Sequence, residues 1–323
     1  MAPSPIDPAN EDTLTRAADI LRSGGLVAFP TETVYGLGAD ARNDKAIARV
    51  FAAKDRPSFN PLIVHVPDLA AAGALGEVND HAVALAERYW PGPLSFVLPR
   101  RADSGLSLLV SAGLDTVALR APAHPLAQDL LTRFGGPIAA PSANRAGEVS
   151  PTTAAHVLES LGDAPDLIVD GGACMVGLES TVVDLCGDRP AILRHGAVTR
   201  EQLERMLGSV DDASVPESGQ APRSPGQIAK HYAPSLPLRI NATDPGPDEA
   251  FIAFGEPGGK NAAVIRSLSP SGNVIEAAAR LFALLRELDR PEFTAIVVAP
   301  VPETGIGRAV NDRLRRAAAA HED

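Results

Sequence analysis

Before residue 208, short apolar runs alternate with longer segments in which apolar residues recur every three or four positions. Runs of the first kind are typical of buried strands, and segments of the second kind are typical of amphipathic helices. The pattern predicts strands at 26–30, 61–66, 94–99, 116–121, 137–142, 166–172, 180–186 and 191–196. It predicts helices over Glu11 to Ser23, Asp44 to Ala53, Asp80 to Tyr89, Pro125 to Phe134, Thr152 to Leu161 and Thr199 to Leu207. Several neighbouring strands have no helix between them, so we expect an α/β domain with a mixed sheet.

Residues 208–236 interrupt this pattern because Pro, Ser, Gly and Asp dominate and no apolar period is present. We interpret this segment as a linker that divides the chain into domains 1–207 and 237–323. Short apolar runs and two helices, Val274 to Leu288 and Gly307 to Ala320, predict that the second domain is a small doubly wound, Rossmann-like α/β unit. The arginines of its last helix are interpreted as a solvated face that complements the helix dipole: Arg308, Arg313, Arg315 and Arg316.

The composition changes this picture in only a few respects. With 45% hydrophobic and 21% charged residues, the chain is typical of globular proteins. Its formal net charge of −11 excludes non-specific polyanion binding by the whole chain, so an anion site must be a local group of cations. The sequence shows no signal-peptide pattern and no apolar run of roughly 18 residues, so we expect a cytoplasmic protein without membrane contact. The two cysteines, Cys174 and Cys186, are interpreted as small buried side chains.

Common signatures of ATP, zinc and serine-hydrolase chemistry are missing from the sequence, which contains no GxxxxGK[ST], HExxH, paired CxxC or GxSxG. Polar residues instead follow the first strand, where PTETVYGLG (30–38) places Thr31 and Thr33 in a turn that ends in two glycines. A ligand-binding loop and a Thr-capped turn with glycines at positive φ are equally good interpretations of this segment.

Other polar positions need a partner once the chain folds. Lys54 and Arg56 end a helix before a Pro-flanked loop, which suits either helix capping or a triphosphate. His65 lies in an apolar strand, where a core histidine with its hydrogen bonds satisfied is the simpler interpretation. Arg120 lies within a strand and needs an internal carboxylate or a bound anion. The run IAAPSANRAGEVSPT follows a later strand with side chains suited to phosphate or adenine: Ser142, Asn144 and Ser150.

Taken in order, these segments resemble the threonylcarbamoyl-AMP synthase family in its two-domain form. The resemblance covers nearly the whole chain and rests on PTETVYGLG, the K-x-R of Lys54 and Arg56, NPLIVHV, WPGPLSFVL, the S-x-N of Ser142 and Asn144, GLESTVVDL, ILRHGAV and SPGQIAKHYAP. It implies a YrdC-like twisted mixed sheet with flanking helices and a concave groove. It also implies that L-threonine, bicarbonate or carbon dioxide, and ATP with Mg²⁺ give L-threonylcarbamoyladenylate and pyrophosphate. This product would pass to the tRNA threonylcarbamoyl transferase machinery, which modifies adenosine in tRNAs that read codons beginning with A.

The same resemblance implies roles for individual residues. The threonine pocket would comprise Thr33, His65, Arg120, Ala140 and Ser180, with Arg120 holding the amino-acid carboxylate. The nucleotide contacts would be Arg56, Asn60, Thr116, Ser142, Asn144, Ser150 and Arg194, with His231 or Tyr232 from a linker segment that covers the groove. Lys54 and Arg56 would act as the catalytic cations, while the metal ligands stay unassigned and Glu179 is either a neighbour of Mg²⁺ or a turn residue. Where many relatives read SPGMKYKHYAP, residues 224–234 lack one aromatic and one basic residue.

Other functions stay open at this point. A nucleic-acid-binding module would use a concave basic surface, but one Trp, three Tyr and the charge of −11 leave few stacking groups, so we expect no stable nucleic-acid binding. A carbamoyl-adenylate step in hydrogenase maturation involves similar domains, but those proteins carry zinc-finger segments and this chain has two cysteines. The second domain would anchor the segment that covers the groove or dock the downstream enzyme.

Overall fold

The computed structural model describes residues 5–57, 59–213, 231–257 and 261–321. The strands in this part of the chain are β1 (Ile6–Pro8), β2 (Val27–Phe29), β3 (Gly36–Asp40), β4 (Ile63–His65), β5 (Leu94–Pro99), β6 (Thr116–Arg120), β7 (Ile138–Ala139), β8 (Leu167–Asp170), β9 (Thr181–Asp184), β10 (Ala191–Arg194), β11 (Asp211–Asp212), β12 (Leu238–Ile240), β13 (Ala250–Ala253), β14 (Val264–Ser267) and β15 (Ile296–Val298). The helices are α1 (Glu11–Arg22), α2 (Asp44–Lys54), α3 (Leu69–Gly73), α4 (Asp80–Tyr89), α5 (Pro125–Phe134), α6 (Ala154–Leu161), α7 (Arg200–Leu207), α8 (Val274–Leu288) and α9 (Gly307–Ala319).

The larger sheet is mixed, as predicted. Its described strands follow the order β1-β8-β2-β3-β7-β4-β6-β5-β9-β10-β11. Near its centre, β4 is parallel to β6 and antiparallel to β7. Because side chains alternate between the two faces of a strand, both faces carry apolar residues that helices cover. Helices α1 and α5 pack on one face around Phe29, while α2 and α4 pack on the other around Leu37 and Val64.

The predicted helices agree with the structure to within two residues at each end. Their starts have local causes, since an Asn or Thr side chain accepts a hydrogen bond from the first turn. Asn10 caps α1 and Asn43 caps α2, and Thr199 forms a capping box with Gln202 at α7. The apolar period therefore located these helices, and short polar residues fixed their first turns.

Some elements differ from the predictions. The two glycines expected in a turn lie in strand β3, and neither Gly36 nor Gly38 has a positive φ. A Cβ at Gly38 would come within 2.7 Å of the Phe29 ring and 2.9 Å of Ile138, so close packing explains this glycine. Strands β1 and β11 and helix α3 were not predicted, because runs of two to five residues are too short to show a period.

The smaller sheet has the order β12-β15-β13-β14 and all its strand pairs are parallel. Helices α8 and α9 pack against it, and the resulting apolar cluster includes Val34, Val149 and Leu178 of the larger domain. The small sheet and its helices are therefore docked on the larger domain through a shared core. Residues 214–230, the middle of the predicted linker and most of its SPGQIAKHYAP motif, lie outside the described residues.

No described helix is both long and apolar enough to cross a membrane. The Cys174 side chain is buried, as predicted, whereas Cys186 is half-buried.

Candidate active site

A pocket opens where the ends of the central strands meet the second domain. The loop between β2 and β3, the strands β4, β6 and β10, the segment after β7 and the loop before β9 all contribute to its lining. Its charged lining groups are the guanidinium groups of Arg56, Arg120 and Arg194 and the carboxylate of Glu179. The acidic chain therefore does contain the local group of cations that an anion site requires.

One side of the pocket, which we call the sheet wall, consists of Thr33, His65 and Arg120 with Glu32 behind them. Arg120 is buried, and its Nη2 atom lies 2.7 Å from Oε1 of Glu32. Its Nη1 donates to Oγ1 of Thr33 at 2.9 Å, and its Nε donates to the carbonyl of Gly92 at 3.1 Å. Of the two partners predicted for Arg120, the internal carboxylate is the one observed, and it fixes the guanidinium in the pocket.

His65 stands beside Arg120 because β4 and β6 are parallel and pair these two residues in register. Its side chain is buried, and Nδ1 has no hydrogen-bond partner among the described residues. Burial, together with the neighbouring Arg120, lowers the pKa of His65 to about 3. His65 is therefore neutral at neutral pH and offers an unused polar atom to a ligand.

The opposite side, which we call the domain wall, consists of Glu179, Ser180, Arg194, His231 and Tyr232 with Arg313 behind them. Arg194 donates from Nε to the carbonyl of Ser180 at 3.0 Å and from Nη2 to its Oγ at 3.1 Å. Burial raises the pKa of Glu179, but the nearby Arg313 and Arg194 outweigh burial and hold it below its usual value. Glu179 is therefore ionised, although it is largely buried.

Arg56 extends into the pocket from the end of α2. Its Nε and Nη2 donate to the carbonyls of Asn60 and Pro61 at 3.3 and 3.0 Å. Burial, with a smaller contribution from Arg194, lowers its pKa to about 10, so the guanidinium stays charged at neutral pH. A cation held only by carbonyl oxygens keeps its full charge available for an anion.

Lys54 lies behind this part of the pocket and is 1% exposed. Its Nζ donates to the carbonyl of Ser142 at 2.6 Å and also to the carbonyl of Asn144. Burial, and then the charge of Arg56, lowers the pKa of Lys54 well below its usual value. In this arrangement Lys54 holds the S-x-N loop in place, and its predicted role as a catalytic cation stays a prediction.

The predicted site residues divide into those that line the pocket and those that do not. The pocket lining contains the whole predicted threonine set and much of the nucleotide set: Thr33, His65, Arg120, Ala140 and Ser180, with Arg56, Ser142, Arg194, His231 and Tyr232. The others are not among the lining residues: Lys54, Asn60, Thr116, Asn144 and Ser150. Thr116 begins β6 and Arg120 ends it, a separation of about 13 Å at strand rise. Of the predicted nucleotide contacts, Thr116 therefore lies at the far end of the strand that carries Arg120.

Two functional residues escaped the sequence predictions. Glu32, the carboxylate between Thr31 and Thr33, was given no role from the sequence, yet it is the partner of Arg120. Arg313 was interpreted as solvated, which is wrong: its side chain is fully buried and pairs with Glu179 at 2.9 Å. A signal for Arg313 was present, since it follows Val310 by three residues and precedes Ala317 by four, which places it on the apolar face of α9.

A metal ion would find its carboxylate ligands already engaged in this pocket. Glu32 contacts Arg120 and accepts from the amide of Ala123, and Glu179 accepts from Arg313 and Ser150. Within the described part of the chain, no group of three or more His, Cys, Asp or Glu residues is placed to bind a metal. These residues fit a Mg²⁺ ion held mainly by substrate phosphates and water.

The fold and pocket define a two-domain α/β protein with a cationic pocket at the contact between its domains. One family model, described as telomere recombination and covering Sua5, YciO and YrdC, matches residues 19–196. A second, described as the C-terminal domain of threonylcarbamoyl-AMP synthase, matches residues 198–319.

Similar proteins match both domains together. Threonylcarbamoyl-AMP synthase of Bacillus subtilis is 41% identical, and the match covers 96% of this chain and 94% of that protein. The Pyrococcus abyssi synthase is also 41% identical, with 93% and 92% covered. The crystal structure of P. abyssi Sua5 in complex with L-threonine superposes with a TM-score of 0.90 at 37% identity, covering 98% of each chain. The chain belongs to the threonylcarbamoyl-AMP synthase family, which is a family of enzymes.

Proposed function

We propose that this protein converts L-threonine, bicarbonate or carbon dioxide, and MgATP into L-threonylcarbamoyladenylate and pyrophosphate. The observation that carries the proposal is the arrangement of cations in one pocket. Arg120 lies in the sheet wall beside an orphaned His65 nitrogen, and Arg56 and Arg194 lie on the side predicted for the nucleotide. An amino-acid carboxylate and a triphosphate therefore each have a guanidinium partner. The P. abyssi relative, solved with L-threonine, supports the amino acid as ligand.

The chemistry needs positioned charge more than a reactive side chain. The threonine ammonium group first loses a proton to solvent. The amine then adds to carbon dioxide with loss of a second proton, or to bicarbonate with loss of water, to form a carbamate. A carbamate oxygen attacks the α-phosphorus of ATP, and the bond to the leaving pyrophosphate breaks. Arg56 and Arg194 are placed to stabilise the negative charge that develops on the phosphates. With a pKa of about 3, His65 is too weak a base to deprotonate the amine, so it acts by hydrogen bonding.

Mg²⁺ enters this proposal as part of MgATP. When bound, it neutralises phosphate charge and orients the leaving group. The carboxylates near the pocket keep their arginine partners, which supports coordination by phosphate oxygens and water. The product would pass to the tRNA-modifying machinery, and a cytoplasmic location would supply both ATP and tRNA.

Pyrophosphate release tests the proposal directly. We expect release from MgATP only when both L-threonine and bicarbonate are present. Serine should be about 10- to 200-fold poorer, because it lacks the methyl group that apolar lining residues such as Val34 and Ile63 can contact. No release from folded protein with any amino acid would contradict the proposed function.

Variants separate the two substrate sites. Arg56→Ala should raise the KM for ATP, and Lys54→Ala should do so through the S-x-N loop. Arg189→Ala is the control, since Arg189 is exposed and pairs with Asp211 away from the lining. An unchanged KM for ATP in both variants would remove Arg56 and Lys54 from the nucleotide site.

A further inference from the structure

The second domain delivers a buried cation to the domain wall. Arg313 of α9 is 0% exposed, and its Nε donates to Oε2 of Glu179 at 2.9 Å. Its Nη1 donates to Asp312 at 2.7 Å, and its guanidinium carbon lies 5.2 Å from the ring centroid of Tyr232. One side chain of the small domain thus contacts two residues that line the pocket of the large one.

Arg313 is not itself among the lining residues, so it can act on a ligand only through Glu179 and Tyr232. Glu179 presents a carboxylate to the pocket side on which Arg56 and Arg194 lie. Without Arg313, the counter-charge nearest this carboxylate would be that of Arg194, and the carboxylate would oppose an anionic ligand more strongly at short range and at low dielectric constant. The Arg313 cation removes that opposition.

Tyr232 depends on the same helix pair for its position. Its φ of 65° is left-handed, a conformation that costs about 1 kcal/mol or more for a bulky residue and needs tertiary contacts to persist. Those contacts come from Arg313 and from the ring of Phe282 in α8, whose centroid is 5.6 Å away. The preceding residue is fixed as well, because the amide of His231 donates to the carbonyl of Arg316 at 3.3 Å.

We propose that Arg313 is a positioning residue for the nucleotide: it neutralises Glu179 and holds Tyr232 so that the domain wall accepts the phosphates of ATP. The inference rests on the proposed function, because it takes the ligand on this side to be ATP. It assigns to the second domain a part in nucleotide binding that the sheet wall does not share. Threonine affinity depends mainly on Arg120 and Thr33 in the sheet wall, so we expect it to change much less than ATP affinity when Arg313 is replaced.

The test measures the binding of each ligand separately and without turnover. Calorimetry would follow α,β-methylene-ATP with Mg²⁺ and, in other titrations, L-threonine. Arg313→Gln should weaken binding of the ATP analogue about tenfold or more, and that of threonine less than about twofold. Adding Glu179→Gln should restore most of the lost affinity, because it removes the uncompensated carboxylate. A residue with only a structural role would give neither this difference nor this restoration.

Two further variants of α9 serve as controls for the Arg313 substitution. Arg308→Gln, on the same helix, removes a half-exposed pair with Glu201 and should leave both affinities unchanged. If Arg313→Gln fails to fold, Arg313→Lys decides, since it keeps the charge and should weaken the ATP analogue alone and by less. Equal losses for both ligands, or no restoration by Glu179→Gln, would overturn the inference. Wild-type protein that binds both ligands but releases no pyrophosphate would contradict the proposed function alone.

Discussion

The two walls of the pocket are built from the same kinds of groups but are held together differently. Each has a buried arginine–glutamate pair and a histidine whose pKa burial lowers to about 3: Arg120, Glu32 and His65 in the sheet wall, and Arg313, Glu179 and His231 in the domain wall. In the sheet wall, the arginine and its partners belong to one domain. In the domain wall, the arginine comes from the second domain.

Because of this difference, the sheet wall is rigid, whereas the domain wall can adjust. Arg120 is fixed by strand pairing, by Glu32 and by the carbonyl of Gly92, so the sheet wall is preformed. The domain wall takes Glu179, Ser180 and Arg194 from the large domain, but the contacts of Glu179 and Tyr232 with α9 and α8 exist only while these helices stay docked. A small amino acid is suited to the fixed wall, and a larger nucleotide is suited to the wall that a domain movement can rebuild.

The largest change in threonine binding and in stability should come from removing the arginine of the sheet wall. Arg120→Ala removes the predicted partner of the threonine carboxylate and leaves Glu32 buried without its counter-charge. We expect the KM for threonine to rise about 100-fold and the free energy of unfolding to fall by about 3–5 kcal/mol. Pyrophosphate release and urea unfolding measure the two effects.

The exposed pair of Arg189 and Asp211 supplies the matched control for that experiment. Arg189→Ala should change the free energy of unfolding by at most about 1 kcal/mol, because solvent screens this pair. A threonine KM in Arg120→Ala equal to that of wild type would show that the sheet wall does not bind the amino acid.

A smaller effect should follow from displacing the docked domain. Gly177 precedes the loop of Glu179 with φ 72°, and a Cβ there would lie 2.5 Å from the carbonyl oxygen of Ala279 in α8. Gly177→Ala should therefore lower the free energy of unfolding by about 2–3 kcal/mol and raise the KM for ATP more than that for threonine. Gly113→Ala has a similar φ of 77° and open space around the Cβ, so it should show only the backbone cost of about 1 kcal/mol. Equal effects of the two substitutions would mean that the contact with Ala279 is not maintained in solution.

The smallest effect is the contribution of one histidine to the free energy of unfolding over about one pH unit. The folded-state pKa of about 3 for His65 and His231 lies below the ordinary value of 6.5, so as pH falls the unfolded chain binds protons that the folded chain does not. Stability should therefore fall with pH across this interval, by about 1.4 kcal/mol per pH unit for each histidine. Urea unfolding between pH 5 and about 6 gives the slope of the free energy of unfolding against pH. His65→Gln and His231→Gln should each reduce that slope by the contribution of one proton.

The effects of the two substitutions on this slope also show whether each wall is closed in the ligand-free protein. If the domain wall opens in the ligand-free protein, His231 becomes solvated and His231→Gln will leave the slope unchanged, whereas His65→Gln will still reduce it. Equal reductions would show that both walls are closed before any ligand binds.

The sequence predicted most of the fold because long apolar periods carry their own signal. All the longer helices were located within two residues. The residues alone left the structural alternatives for Thr33, His65 and Arg120 open, and it was the family resemblance that predicted these three together in the pocket that they line. What the sequence could not predict was tertiary in origin. Strand β3 was hidden because Gly36 and Gly38 are chosen for close packing against Ala140 and Phe29, and not for a turn.

Arg313 shows the same limit in the site itself. An arginine in a basic helix is usually solvated, and only its position on the apolar face of α9 distinguished it from Arg315, which is exposed. Its partner Glu179 lies 134 residues earlier in the chain, and no local pattern connects them. The glycine-ended segment around Glu32 gave a location for a ligand loop, but Glu32 and Arg120 meet only in the folded protein, and no local pattern connects them.

The separation between Glu179 and Arg313 also has a consequence for how the protein is made. Because domains fold in turn as the ribosome releases the chain, Arg120 can meet Thr33, 87 residues earlier, long before Arg313 has been translated. Contacts of such long sequence separation form late. In a nascent chain, the proposed threonine site would therefore form before the proposed nucleotide site. Such a chain could bind threonine before it could bind and use ATP.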